Sequence, residues 1–252
     1  MRAQPTAESD AALTRTLSIY AGMVEQVLIN PSRWLGSDED PPPSASAPRK
    51  LLNRARDGVL GDITPSSPRW DELPVQKRTR WWLRRIAVTA GVAAAAPRFA
   101  GMIADRLPVQ AALGASASGL AVCAVAREHG VVTAADWVPL LAKVLFDREV
   151  STAATLPPAE DSQRALEQAA EDETEPPSGM AALTASSQRG VRALWRLATH
   201  LLELRNTLKT RPRGNRLTRT IAKIPVIGVA GGWLDERGAI RKAAKSTSGL
   251  LR

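Results

Sequence analysis

The chain has 252 residues, a net charge of +9 and 44% hydrophobic content, enough for one sizeable domain or two small ones. Its single cysteine, Cys123, excludes an intramolecular disulfide, and one tyrosine and two phenylalanines are few for a protein built on strands. Alanine, leucine and arginine dominate instead, so the expected fold is all-α: a bundle of small-residue-rich and amphipathic helices with disordered linkers.

The N-terminal text MRAQPTAESDAALTR lacks the charged start, apolar core and cleavage site of a secretory signal, which predicts a cytoplasmic location. The first helix is predicted over Asp10–Asn30. Leu13, Leu17, Tyr20, Val24, Val27 and Leu28 recur there at three- and four-residue spacing, Ser9 or Asp10 caps the start and Pro31 stops it. Residues 36–72 read as a linker: GSDEDPPPSASAP is acidic, then proline- and serine-rich, a short helix is expected over Lys50–Leu60, and TPSSP makes another break.

From Leu73 the text VQKRTRWWLRR leads into an alanine-rich helix that Pro97 should divide. Lys77, Arg78, Arg80, Trp81, Trp82, Arg84 and Arg85 form the strongest interfacial signature of the chain, because indoles and long cationic side chains suit a water–headgroup boundary. The competing reading packs Trp81 or Trp82 in the core and leaves the arginines outside.

Leu107 to Ala126 then runs for twenty residues without a charge. Its length would just cross a hydrocarbon core of ~30 Å, yet Gln110, Ser116, Ser118 and many alanines disfavour insertion, so a buried or interfacial helix is predicted. Ala111, Ala115 and Gly119, four apart, are candidates for a close-packing seam, joined by Gly228 and Gly232 in the C-terminal text. Gly130 reads as the residue closing this helix, with a structural His129 beside it. Thr133 or Asp136 opens another helix that buries Trp137, Leu140, Leu141, Val144 and Leu145, with Pro139 in its first turn.

Residues 151–188 read as an acidic, proline-bounded linker holding a helical turn or two in SQRALEQAA, with 157–178 dispensable for folding. Gln188–Lys209 is the most regular amphipathic helix, with Val191, Leu194, Trp195, Ala198, Leu201, Leu202 and Leu208 on one side. A basic loop carrying Arg211, Arg213, Arg216 and Arg219 precedes the glycine-rich text IPVIGVAGG and a final helix. The helical core is thus expected in 73–150 and 189–252, with residues 1–35 as an N-terminal helix.

Charge is laid out in blocks: −3 over residues 1–48, +7 over 49–106, −1 over 107–150, −6 over 151–188 and +12 over 189–252. Basic blocks beside apolar helices suit anionic lipid headgroups or nucleic acid. Motifs for chemistry are missing from the text. The glycines spell neither GxGxxG nor a P-loop, and two histidines and one cysteine give no zinc spacing, so no cofactor, metal site or catalytic constellation is predicted.

Two stretches, LPVQAALGASASGLAVCAVAREHGVVTAADWVPLLAKVLFDRE and KIPVIGVAGGWLDERGAIRKAAKSTSGLL, together resemble the EcsC family of bacterial proteins. The likeness lies in the small-residue helix, the corner after it and the Ile-Pro-Val-hydrophobic-Gly stretch before a final basic helix, and it covers roughly residues 75–150 and 189–252. The resemblance implies a helical, membrane-peripheral protein connected with transport systems, with no established catalytic residues to carry over. The function expected is therefore a non-enzymatic protein on the inner face of the membrane, with an anionic lipid surface or a membrane protein as partner. The alternative is a nucleic-acid-binding protein that uses the two basic blocks.

Overall fold

The computed structural model of the protein describes residues 7–35, 63–95, 106–150, 155–171, 185–209 and 232–251. Eight helices and no strand make up these residues: α1 (Ala7–Ile29), α2 (Pro31–Leu35), α3 (Val75–Ala95), α4 (Arg106–Glu128), α5 (Ala134–Phe146), α6 (Ala159–Glu171), α7 (Ala185–Lys209) and α8 (Gly232–Leu250). The all-α expectation holds.

The uncharged run becomes α4, and it is the hub of the bundle: α1, α3, α5, α7 and α8 all pack on it. From Leu120 to Ala126 every side chain is buried. A helix apolar on all sides needs partners on all sides, and small side chains let them approach. Among the described residues no helix is long and apolar enough to cross a membrane.

Around this hub the amphipathic helices bury the stripes their periodicity dictates. α1 contributes Leu13, Leu17, Tyr20, Val24, Val27 and Leu28; α5 contributes Trp137, Val138, Leu141 and Leu145; α7 contributes Val191, Leu194, Leu197, Ala198 and Leu201. Leu140, Val144 and Trp195, expected on those stripes, are only partly buried at the margin of the core.

Local signals set several helix ends. Gly130 closes α4 with φ +91°, and the Val131 N–H donates to the Ala126 carbonyl. Thr133 caps α5, its side chain accepting from the Asp136 N–H, and Asp147 closes α5 in the left-handed region at φ 51°. With Thr133 as cap, Pro139 falls in the second turn, not the first. Pro31 also departs from expectation. It does not merely stop α1; it opens α2 at the first helical position, where its missing N–H costs nothing.

The larger departure lies in the segment read as an acidic linker. Within 151–188 the structure has a thirteen-residue helix, α6, packed on α1 and α7, with Leu166 fully buried and Ser162 nearly so. The acidic composition hid a single apolar stripe that docks. The short helix expected over 50–60 and the Pro97 break lie outside the described residues; α3 ends at Ala95.

Candidate functional site: a basic face on two neighbouring helices

α3 divides its residues sharply. Trp81, Trp82, Ile86 and Ala90 turn inward, while Lys77, Arg80 and Arg84 stand exposed at three- and four-residue spacing. α8 repeats the division: Ile240, Ala243, Ala244 and Thr247 are buried, and Arg241, Lys242 and Lys245 are exposed. The two helices touch each other and share α4 as their support. α3 contains no acidic residue, and α8 none after Glu236. The acids preceding α3 are engaged locally, Asp71 with Arg78 at 3.0 Å and Glu72 with Arg69 at 3.5 Å.

The indoles of the predicted interfacial signature are not part of this face, which corrects the expectation for them. Trp82 is 0% and Trp81 6% exposed. With Trp70, from the turn before α3, they form a mutually perpendicular trio with ring centroids 5.0 to 6.5 Å apart. The Trp82 indole N–H donates to Glu128 Oε1 at 2.8 Å, and Arg78 Nε lies 3.2 Å from Glu128 Oε2. A carboxylate at the C-terminal end of α4 opposes the helix dipole and is buried besides; the indole and the guanidinium together offset both penalties.

Arg78 and Arg85 also leave the predicted surface set. Arg78 bridges buried Glu128 and exposed Asp71. Arg85 is buried, and its Nε donates to the Leu35 carbonyl at 2.9 Å, at the end of α2. Arg127 does the same for α1, donating to the Leu28 carbonyl at 2.6 Å. Each places a cation where helix-terminal carbonyls lack partners, a role that an arginine pattern in the sequence does not distinguish from a surface one.

The seam residues are divided as well. Ala115 is buried, and a Cβ on Gly119 would fall 2.5 Å from the Tyr20 hydroxyl. Gly119 therefore makes room for a tyrosine of α1 and not for another backbone. The Tyr20 hydroxyl donates to the Ser116 carbonyl at 2.6 Å. The sequence did not single out Gly190, whose added Cβ would lie 2.5 Å from the Trp34 carbonyl oxygen. That position is the closest helix-to-backbone approach among the described glycines. The Ala111 side chain lies outside the described residues, as do Gly228, Arg211, Arg213, Arg216 and Arg219; Gly232 opens α8.

No family model matches the chain, and no curated protein or solved structure matches it significantly.

Groups that could do chemistry are scattered. Among the described residues no three His, Cys, Asp or Glu side chains gather as metal ligands would. His129 is exposed at the end of α4, and His200 Nε2 lies 3.3 Å from the Thr16 carbonyl. Burial pushes the Cys123 thiol well above its usual range and keeps it protonated. What the described surface offers is a set of cations on two helices packed against α4.

Proposed function

We propose that this protein is a helical, non-catalytic protein that sits peripherally on the cytoplasmic face of the membrane, or on a membrane protein there. The EcsC resemblance implies the same role. The observation that carries the reading is the pair of outward rows, Lys77, Arg80 and Arg84 on α3 with Arg241, Lys242 and Lys245 on α8, on neighbouring helices whose described exposed faces contain no acid. Rows of exposed cations with no exposed acid described among them favour an anionic partner through their local field.

Cell fractionation tests the reading directly. The protein should sediment with membranes at low ionic strength and be released by a high-salt or carbonate wash. Recovery entirely in the soluble fraction at low ionic strength would overturn it.

A further inference from the structure

We infer that the α3–α8 face takes an anionic lipid bilayer, and that it adsorbs through headgroup contacts alone, with no tryptophan of α3 entering the membrane. The inference rests on the peripheral-membrane reading and specifies how the contact is made.

Three observations carry it. First, the indoles are locked. For Trp82 to reach lipid it must leave Glu128, stranding a buried carboxylate with Arg78 as its remaining partner, and it must break the trio with Trp70 and Trp81. Second, among the described side chains of the two helices the cationic rows carry no apolar wedge. The large exposed hydrophobic residues among those described are Ile29, Val132 and Leu250, and of these only Leu250, at the last position of α8, belongs to either helix. Membrane-inserting helices show the opposite pattern, with Trp, Phe and Leu turned outward.

Third, the face offers charge without a means of reading bases. α3 rests on α4 and is flanked by α8, α7 and α2. The exposed residues of its cationic half are Gln76, Lys77, Arg80 and Arg84, with no exposed aromatic on which a base could stack. Lys77 to Arg84 covers about 10 Å of helix, and α8 adds a second row beside it. Two cationic rows on touching helices complement a sheet of anionic headgroups.

The test uses the purified full chain and sedimentation with two kinds of vesicle, phosphatidylcholine alone and phosphatidylcholine mixed with phosphatidylglycerol. Binding should appear with the anionic vesicles only and weaken steeply as salt is raised. Each neutralised cation should cost about fivefold in affinity, so Arg80→Gln with Lys242→Gln should weaken binding by about 25-fold. Arg80→Lys with Arg84→Lys should bind as the parent does, because charge and not fork geometry is read. Trp81→Phe should also bind as the parent does.

Salt-resistant binding, equal binding to neutral vesicles, or weakened binding by Trp81→Phe would overturn the headgroup-only mode while leaving membrane association standing. Binding to neither vesicle would overturn both. So would a preference for duplex DNA over anionic vesicles at physiological ionic strength, which would make nucleic acid the partner.

Discussion

At the scale of single residues, the glycines separate close contacts from empty positions. Gly119→Ala would push a methyl into the Tyr20 hydroxyl and ring, which are held in the core by the bond to Ser116, so a loss of about 1–3 kcal/mol is expected. Tyr20→Phe removes the nearest atom, and the double variant should lose less than the two single losses added, a coupling that urea titrations of all four proteins would measure. Gly190→Ala should be at least as damaging, since the obstacle is backbone. Gly114 has nothing within 4 Å of the added carbon and lies inside α4, so Gly114→Ala should raise stability by up to about 1 kcal/mol. Alkali should act through the same neighbourhood. Burial, then the neighbouring Cys123, raises the Tyr20 phenol above its usual 10.0, and burial raises the Cys123 thiol above 9.0. Above those usual values the unfolded chain gives up protons that the folded protein keeps, so the stability contribution is complete below pH 9.0 and declines as pH rises, by at most about 1.4 kcal/mol per pH unit for each group. Tyr20→Phe should make the decline above pH 10.0 shallower in denaturant midpoints taken across that range.

At the scale of elements, α6 is the one whose docking composition concealed. Its outer residues Glu160, Asp161, Gln163, Arg164 and Gln168 are exposed, and its hold on the body is Leu166, Ser162 facing Gly22, and the Arg33–Glu167 pair at 2.9 Å. An exposed pair of that kind contributes little, and the buried Ser162 hydroxyl has no hydrogen-bond partner, so Leu166 carries most of the attachment. Leu166→Ala should cost about 2–4 kcal/mol or release α6 alone, and hydrogen exchange should find α6 amides opening before those of α4. A Gly/Ser spacer in place of residues 159–171 should lower the melting temperature, where a dispensable linker would leave it unchanged. Much else at this scale was legible. α1, α5 and α7 followed from apolar period, α4 from its uncharged run, and Gly130 and Thr133 from end-capping chemistry, because these signals lie within one helix and its cap. The direction in which Trp81 and Trp82 face was not legible, since adjacent positions on a helix are both buried only when covered from two sides. Here the covers are Trp70 in a preceding turn and Glu128 forty-six residues away. The same long-range pairing turned Arg78 and Arg85 from surface candidates into internal braces.

At the scale of the whole molecule, α4 makes the bundle hard to open in part. Five helices rest on it, so loss of its contacts leaves most of the core without a partner, and unfolding followed by tryptophan fluorescence and by helical circular dichroism should coincide outside α6. Separate transitions would show that α5 or α8 folds independently of the hub. Cys123 sits fully buried on that hub. Because it is the sole thiol of the chain, a chromogenic disulfide reagent has one target, and that target is shut away until the bundle parts. The protein thus contains its own clock: the labelling rate under native conditions counts openings, without a tag or an engineered probe. Any partner that prefers the closed bundle slows this clock by mass action. Adding anionic vesicles should therefore lower the labelling rate in proportion to occupancy, turning a chemically silent side chain into a reporter of what the outer face has met.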